Sequence, residues 1–295
     1  DLFKHQPNIV SVLGCTHTAI DVVLRKVFNH NTCPGTILVL DYTGRGSVVL
    51  TESNKMSMLN KKIHWFDLDN KRHTSKLLEI NNSNNIKNML ERIFGLFKEV
   101  SNVMITQESI EYTINTTIKF AENGNIQLSN LLKMFTLPEI KQLYLESKLN
   151  QEEIISLQNM LSWVLRFPAI FSISNGINPI KLGNYFADKT VIWFELLYEH
   201  LERVEHHLLC GIIDIIVENS LNNFYYNNPN SKLDFTVLHI YPPQKSFSNL
   251  PVWIKEPYKN VRHISIHNFL PNIPIRKITN EWIDASENVW IVGKL

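Results

Sequence analysis

A phosphate-binding loop is the first chemistry that the residue types of this sequence suggest. Residues 11–28 read SVLGCTHTAIDVVLRKVF, in which an apolar run ends at Gly14 and an amphipathic helix pattern follows. A phosphate loop works because successive backbone N–H groups converge on the oxygens, and glycine lets the backbone approach closely. Its motif is G-x-x-x-x-G-K-[ST], whose lysine offsets charge on the β- and γ-phosphates.

The chain keeps only part of that motif. Ala19 stands at the second glycine, Ile20 at the lysine and Asp21 at the Ser/Thr that holds Mg²⁺. Isoleucine offers no charge to a phosphate. Asp21 places a carboxylate at the positive end of the predicted helix, where it is stabilised by roughly 0.3–1 kcal/mol and repels a polyanion. An aspartate can also hold Mg²⁺ directly, which leaves a remodelled nucleotide site open.

The elements around this loop predict a βαβ unit. Runs at Ile9–Leu13, Thr36–Asp41 and Lys61–Asp67 are apolar throughout, as expected of strands buried on both faces of a parallel sheet. The helix between the first two runs has one apolar face at i, i+3, i+4, i+7 spacing, made by Ile20, Val23, Leu24 and Val27. A strand, a crossover helix and a strand form a parallel pair.

Helical periodicity then interrupts the α/β pattern. Between Asn84 and Phe167 four helical stretches are separated by Asn, Gly and Pro breaks, and strands return from Thr190 onward. We predict three parts: residues 1–83 as the first part of an α/β core, 84–170 as an inserted helical subdomain, and 171–295 as the second part of the core.

Composition narrows the class of protein. The 295 residues suffice for one large or two modest domains, and the formal net charge of +1 gives no argument for a nucleic-acid or membrane partner. No apolar run reaches the roughly 18 residues that span a bilayer, and no signal peptide opens the chain. Cys15, Cys33 and Cys210 have no metal or disulfide spacing. We expect a reduced, cytoplasmic protein, and the start at Asp1 indicates a piece of a longer chain.

Five stretches together resemble the P-loop ATPases of the HerA/FtsK/TraG group, which move DNA or protein through hexameric rings. Residues 8–28 fall at the group's G-x-T-G-S-G-K-[ST] loop, and residues 35–46 at a second strand that ends in D-x-x-G-E. Residues 182–221 resemble a later strand followed by a long helix. Residues 233–243 fall at the Walker B strand, and residues 261–295 at the sensor strand and the final strand. The resemblance covers nearly the whole chain.

The resemblance implies an α/β fold with a RecA-like P-loop NTPase core, in which a mostly parallel sheet is flanked by helices and carries the helical insertion. It also implies a vestigial phosphate loop formed by Gly14, Thr16 and Thr18, in which His17 and Ala19 replace glycines.

The other motifs of the group have also lost residues that act on the nucleotide or its metal ion. Arg45 takes the glutamate place of D-x-x-G-E, and Tyr241 and Pro242 stand where the Walker B acids would hold Mg²⁺ and orient water. Asn268 replaces the sensor glutamine with a shorter amide. Arg262 lies where some relatives carry an arginine that reaches a neighbour's nucleotide. We therefore assign no catalytic residue, no metal ligand and no cofactor, with ATP and Mg²⁺ disfavoured.

These losses predict a pseudo-ATPase that serves as a scaffold or partner-binding subunit. By analogy the setting is a DNA-handling complex of defence, conjugation or translocation. Head-to-tail contacts with protein subunits are expected, including an active ATPase paralogue or a nuclease, and DNA is a further candidate partner. The alternative is an ATPase with a remodelled site that drives DNA translocation, with Asp21 or Glu195 on Mg²⁺ and a lysine from elsewhere, such as Lys26.

Other candidate sites have plainer readings. Glu195 ends a buried strand, and we interpret it as a cap of the following helix. His206 and Cys210 share a helix face at i, i+4, a spacing that metals use, but neighbouring charges mark that face as solvated. His263 and His267 are four apart on a predicted strand, about 13 Å, which is too far for one ion.

The remaining candidate residues give only weak indications of binding or catalysis. The segment DLDNKRHTSK and the basic residues near Arg262, namely Lys255 and Lys259, are more typical of solvated loops than of a nucleic-acid surface. Trp163 and Phe167, at i and i+4, indicate core packing rather than base stacking. No G-x-S-x-G elbow is present, and neither Cys15 nor Cys33 lies beside a base in the sequence.

Overall fold

The structure of the chain is a computed structural model. It describes the following residues: 9–14, 16–27, 35–46, 48, 61–68, 75–78, 86–101, 103–121, 151–175, 178–196, 201–231, 233–241, 261–268, 284, 286 and 288–292.

The chain divides into two compact units, each built from separate stretches of sequence. The first comprises residues 1–69, 182–201 and 227–295, and the second comprises residues 70–181 and 202–226. The second unit thus takes in residues 202–226, which the sequence-based division assigned to the core. That division, 1–83, 84–170 and 171–295, stays a prediction.

Described strands and helices alternate in the N-terminal and C-terminal parts of the chain, whereas the described middle part is mainly helical. In chain order they are β1 (Ile9–Gly14), α1 (Thr16–Val27), β2 (Thr36–Asp41), β3 (Ile63–Asp67), β4 (Ser75–Lys76), α2 (Ile86–Ser101), α3 (Gln107–Ala121), α4 (Gln151–Leu165), α5 (Pro168–Asn175), β5 (Asn178–Pro179), α6 (Gly183–Phe186), β6 (Val191–Glu195), α7 (Arg203–Asn227), β7 (Phe235–Ile240), β8 (Val261–Asn268) and β9 (Asn288–Val292).

The first unit contains a seven-stranded sheet in the order β3-β6-β2-β7-β8-β1-β9. Each neighbouring pair in it runs parallel. The predicted α/β class with a RecA-like parallel sheet is therefore confirmed. The apolar character of the strands has its expected cause, because every residue of β2, β6 and β7 is buried. Strand β3 differs, since it pairs with β6 alone and four of its five residues are half-exposed.

Helix α1 covers one face of this sheet. Its four predicted apolar residues and Ala19 are buried against aliphatic side chains of the central strands, namely Val10, Val12, Leu238, Ile240, Ile264 and Ile266. Fully burying a side chain of this size contributes about 1.5–3 kcal/mol, so this face holds the start of α1 in a fixed place. The position of α1 is what decides the geometry of the candidate site.

The second unit is a helical assembly of α2, α3, α4, α5 and α7. The Arg92 guanidinium of α2 lies 2.9 Å from the Glu218 carboxylate of α7, a pair in which Glu218 is buried. Burial raises the pKa of Glu218, and Arg92 opposes that shift. The predicted helices IKNMLERIFGLFKEV and EEIISLQNMLSWVL are confirmed as α2 and α4. Two other predicted stretches, LSNLLKMF and PEIKQLYLESKL, lie outside the described residues.

Among the described residues, no single helix has the length and apolar character to cross a bilayer, whereas the bent pair formed by Gln151–Leu165 and Pro168–Ser174 meets both criteria jointly.

Candidate functional site

The sheet topology places the candidate site at the carboxyl ends of β1 and β8. From β1 the chain passes through α1 to β2, which lies on one side of β1 in the sheet. From β8 it passes to β9, which lies on the other side of β1. Ligands of open α/β sheets bind in the crevice where the strand order reverses in this way. Gly14 ends β1 at that point, in register with Asn268 of β8 and Val292 of β9.

The connection between β1 and α1 is too short for a phosphate loop. The strand ends at Gly14 and the helix begins at Thr16, so one residue separates them. A phosphate loop needs several residues of non-helical backbone, because their N–H groups must converge on the phosphate. Here the stretch that would form the loop has become the first turn of α1. Gly14, Thr16 and exposed Thr18 do lie at the switch point, but Thr16 and Thr18 lie within the helix.

Neither Ile20 nor Asp21 has a side chain placed to take the role that the phosphate-loop motif gives its position. Ile20 is fully buried in the aliphatic core beneath α1. Asp21 is half-exposed, and its Oδ2 accepts a hydrogen bond of 2.8 Å from Nε of Arg25. The expectation that Asp21 stands at the positive helix end is wrong: because α1 starts at Thr16, Asp21 is the sixth helical residue, beyond the first turn where the dipole acts.

At the end of β2, Asp41 anchors a turn. Its carboxylate accepts hydrogen bonds from the backbone N–H groups of Thr43, Gly44 and Gly46 and from the Thr43 hydroxyl, at 2.7–3.1 Å. Burial raises the pKa of the Asp41 carboxyl, while these hydrogen bonds lower it in part. Gly44 has a φ of 64°, in the left-handed region that glycine tolerates best. The Arg45 side chain, at the glutamate place of D-x-x-G-E, is exposed.

The close packing of Gly46 gives a first testable prediction. A Cβ at this position would lie 2.5 Å from Cζ2 of Trp193 and 2.7 Å from Oδ2 of Asp41. We expect Gly46→Ala to lower the free energy of unfolding by about 1–3 kcal/mol, because the ring and the carboxylate are both buried and must shift. Chemical denaturation measures this.

Gly95 provides the matched control for that substitution. It lies inside α2, and a Cβ there meets nothing within 4 Å. Gly95→Ala should stabilise the chain by about 0.8–1 kcal/mol through helix propensity. A Gly46→Ala variant as stable as the wild-type chain would contradict the anchored turn.

At the Walker B position, Tyr241 faces away from α1. It follows β7, its hydroxyl lies 3.0 Å from Nδ1 of His239, and its ring stacks on His267 with a centroid distance of 5.1 Å. Successive residues of a strand alternate between faces, and Ile240 belongs to the core under α1. The side chain at this position therefore offers an aromatic ring on the opposite face, and no carboxylate.

That opposite face carries a cluster of buried histidines and serines. Nε2 of His267 lies 2.9 Å from Oγ of Ser265, which lies 3.1 Å from Oγ of Ser11. Burial lowers the pKa of both His263 and His267 to about 3. Burial, with a smaller effect of these two neighbours, lowers the pKa of His239 well below its usual value. The three imidazoles are neutral at pH 7 as a result.

Glu195, at the end of β6, contacts β3, and its interpretation as a helix cap stays a prediction. Its Oε2 accepts a hydrogen bond of 2.9 Å from Nε1 of Trp65, whose ring stacks on Trp193 at 4.8 Å between centroids. Helix α7 begins at Arg203, and residues 197–200 lie outside the described residues. The hydrogen bond from Trp65 to Glu195 joins the ends of β3 and β6.

Comparisons with known proteins bear on this geometry. No protein-family model matches the sequence, and neither does any curated protein. Solved structures do match. The conjugative coupling protein TrwBΔN70 in its unbound form has a TM-score of 0.56 and 14% identity, over 88% of this chain and 62% of that one. TrwB in complex with ADP and Mg²⁺ gives a TM-score of 0.56 and 13% identity, over 88% and 64%.

VirB4 of Thermoanaerobacter pseudethanolicus extends the match, with a TM-score of 0.57 and 10% identity over 91% of this chain and 73% of that one. The chain has the fold of the HerA/FtsK-type P-loop ATPases. The resemblance to this group that the sequence indicates is therefore confirmed for the fold. The chain spans somewhat less than two thirds of the length of the TrwB structures.

Within this HerA/FtsK-type fold, the histidine–cysteine pair of α7 is a core contact. His206 and Cys210 are fully buried, and Sγ of Cys210 lies 3.5 Å from Nδ1 of His206. The expectation of a solvated face is wrong here, because Glu205 and Leu209 beside this pair are buried as well. No group of three or more His, Cys, Asp or Glu side chains able to hold a metal occurs in the part of the chain that the structure describes.

The remaining sequence candidates do not gather at the switch point. Phe167 is buried and Trp163 half-buried, with their rings 5.2 Å apart and the Arg166 guanidinium over both, as core packing predicts. Arg262 lies near the start of β8, six residues and about 20 Å from Asn268 at the other end. Cys15, Cys33, Pro242, Lys255 and Lys259 lie outside the described residues.

The alternation of residue types in β8 is a sequence pattern that indicates this polar face. Residues 263–267 read HISIH, in which polar and aliphatic side chains alternate with period two. Such alternation predicts a strand with one aliphatic and one polar face. Ile264 and Ile266 pack under α1, and the histidines and Ser265 form the other face. The hydrogen bond from Trp65 to Glu195 had no comparable signal, because it joins residues that are far apart in sequence.

Proposed function

We propose that this chain is a binding or scaffold subunit of a DNA-handling assembly and does not hydrolyse ATP. One observation carries the proposal: α1 begins at Thr16, one residue beyond the end of β1, with Ile20 in the core where the phosphate-loop lysine would stand. This arrangement leaves neither a loop of converging N–H groups nor a positive charge at the lysine position, which are the two means by which such a site holds a triphosphate.

The remaining parts of a hydrolytic site support the same proposal. Arg45 and Tyr241 occupy the two positions where a carboxylate would act on Mg²⁺ or water. Both carboxylates at neighbouring strand ends have structural partners: Asp41 anchors its own turn and Glu195 accepts from Trp65. Phosphoryl transfer depends on metal ions and positioned charges, so these substitutions remove its chemistry together.

The setting of the proposal rests on the fold. The structural neighbours are a plasmid coupling protein and VirB4, so we place the chain in conjugation, translocation or antiviral defence, in the cytoplasm. Its partners would be protein subunits of a larger assembly, with an active ATPase paralogue or a nuclease as candidates and DNA as a further one. The surface of the core, rather than catalytic residues, would provide the docking site.

Phosphate release tests this proposal against its rival, a translocating ATPase with a remodelled site. The purified 295-residue chain is assayed with ATP and Mg²⁺, with and without double-stranded DNA. We expect no release above the protein-free blank in either condition. DNA-stimulated release that Asp21→Ala abolishes would establish the rival. A gel shift across a salt series tests DNA binding, since phosphate contacts give a steep salt dependence.

A further inference from the structure

A chain of hydrogen-bonded side chains joins β1 and β8 to the residues just before β9. Ser11 of β1 is at its centre, because its Oγ lies 3.1 Å from Oγ of Ser265 and 2.7 Å from Oγ of Ser286. Beyond Ser265 the chain continues to Nε2 of His267, at 2.9 Å. The first two serines and the histidine are buried, whereas Ser286 is half-exposed. The chain therefore runs from the buried polar face of the sheet to a residue that reaches solvent.

The hydrogen bonds of this chain can be formed in either direction. A serine hydroxyl donates one hydrogen and can accept another at the same time. If the imidazole accepts from Ser265, then Ser265 accepts from Ser11 and Ser11 accepts from Ser286. If Nε2 carries the hydrogen, each bond reverses. Because every link is kept in both cases, Ser286 is attached to β1 whichever ring nitrogen of the histidine carries the hydrogen.

Strand β9, which follows this attachment, lies at one edge of the sheet. It begins at Asn288, two positions after Ser286. Among the described strands it pairs with β1 alone, whereas inner strands such as β7 pair on both sides. Opening an edge strand breaks one ladder of backbone hydrogen bonds, and opening an inner strand breaks two. Local opening of a folded protein is therefore easier at β9 than at β7.

We propose that the hydrogen bond between Ser286 and Ser11, called the latch below, holds β9 on the sheet, and that β9 opens as a unit while the inner strands stay paired. Opening exposes the outer edge of β1, which ends with Gly14 at the switch point. The backbone N–H and C=O groups of β1 that bond to β9 then face solvent. The latch is thus a conformational device beside the candidate site, and its strength sets how often β9 opens.

Native-state hydrogen exchange of the 295-residue chain at low urea concentrations tests whether β9 opens separately. We expect the protected amides of β9 to exchange at rates that hardly change with urea, because their opening exposes little surface. Amides of β2 and β7 should exchange by an unfolding that urea promotes. Amides of β9 with the same urea dependence as those of β7 would mean that β9 opens only with the whole fold, which would overturn the proposal.

Ser286→Ala tests the latch itself, because it removes this hydroxyl and leaves the bond between Ser11 and Ser265 in place. We expect exchange in β9 to become about two- to tenfold faster, as for the loss of one hydrogen bond, with no change in β2 or β7. Ser286→Thr keeps a hydroxyl and should exchange as the wild type does. Ser220→Ala is the matched control, since this half-exposed serine of α7 donates a hydrogen bond of 2.7 Å to the Ile216 carbonyl. It should leave β9 unchanged.

Ser11→Ala removes the central link, so it should accelerate exchange in β9 at least as much as Ser286→Ala does. Two results with Ser286→Ala would overturn the latch: unchanged exchange in β9, or equal acceleration in β9 and β7, which would indicate a general loss of stability. Failure here leaves the proposed function standing, because the phosphate-release assay does not depend on the opening of β9.

Discussion

Ile20→Lys is expected to destabilise the chain by about 3–5 kcal/mol instead of restoring a nucleotide site. The substitution places the phosphate-loop lysine at its motif position. Ile20, however, is fully buried among aliphatic side chains of α1, β1 and β8, and an ammonium group there has no described carboxylate beside it. Burying an unpaired charge is among the few single changes with an effect this large. Urea unfolding followed by circular dichroism measures it.

Two control variants separate this effect from simpler ones. Ile20→Val removes one methylene and should cost about 0.5–1.5 kcal/mol. Thr18→Lys adds the same charge two residues earlier on an exposed position of α1 and should change stability by less than about 0.5 kcal/mol. If Ile20→Lys proved as stable as the Thr18→Lys variant, the side chain at position 20 would reach solvent and the buried placement would be wrong.

Acidification is expected to destabilise the fold through the buried histidines. The pKa of His263 and of His267 is about 3 in the folded chain, against about 6.5 in an unfolded one. The unfolded state therefore binds more protons between these values. The stability contributed by the neutral imidazoles is complete above pH 6.5 and is lost as pH falls toward 3. Each histidine adds a slope of about 1.4 kcal/mol per pH unit within this window.

His263→Gln isolates that contribution from those of the carboxylates. The free energy of unfolding, measured at several pH values from 7 to 4, should fall less steeply in the variant, by about 1.4 kcal/mol per pH unit. His207→Gln, at a half-exposed position of α7, serves as the control and should follow the wild-type slope. Parallel curves for wild type and His263→Gln would mean that His263 takes up its proton in the folded state.

Sequence periodicity predicted the framework well because burial dictates it. The strand at Thr36–Asp41 has the predicted bounds, since an aliphatic run between turn residues fits a buried parallel strand. The apolar face of α1 was also predicted, and it is buried. The fold of the HerA/FtsK-type ATPases followed from the order of these elements.

The start of α1 could not be predicted in the same way. The phosphate-loop motif places the helix after its second glycine, a position that Ala19 occupies in this chain. With Ala19 in place of the glycine, the helix extends back to Thr16, and Ala19 is itself buried in the core. This single difference moves Asp21 out of the first turn. Local pattern also cannot say which faces become buried by tertiary contacts, which is why the face of His206 and Cys210 was assigned to solvent.

Direct nucleotide binding tests the central claim. A fluorescent ATP analogue is titrated into the purified chain with and without Mg²⁺, with Thr16→Ala and Asp21→Ala as variants at the switch point. The account predicts no saturable binding up to about 1 mM, equivalent to less than about 4 kcal/mol of binding free energy, and no difference between the variants and the wild type. Saturable, Mg²⁺-dependent binding in the micromolar range that either variant weakens would contradict it.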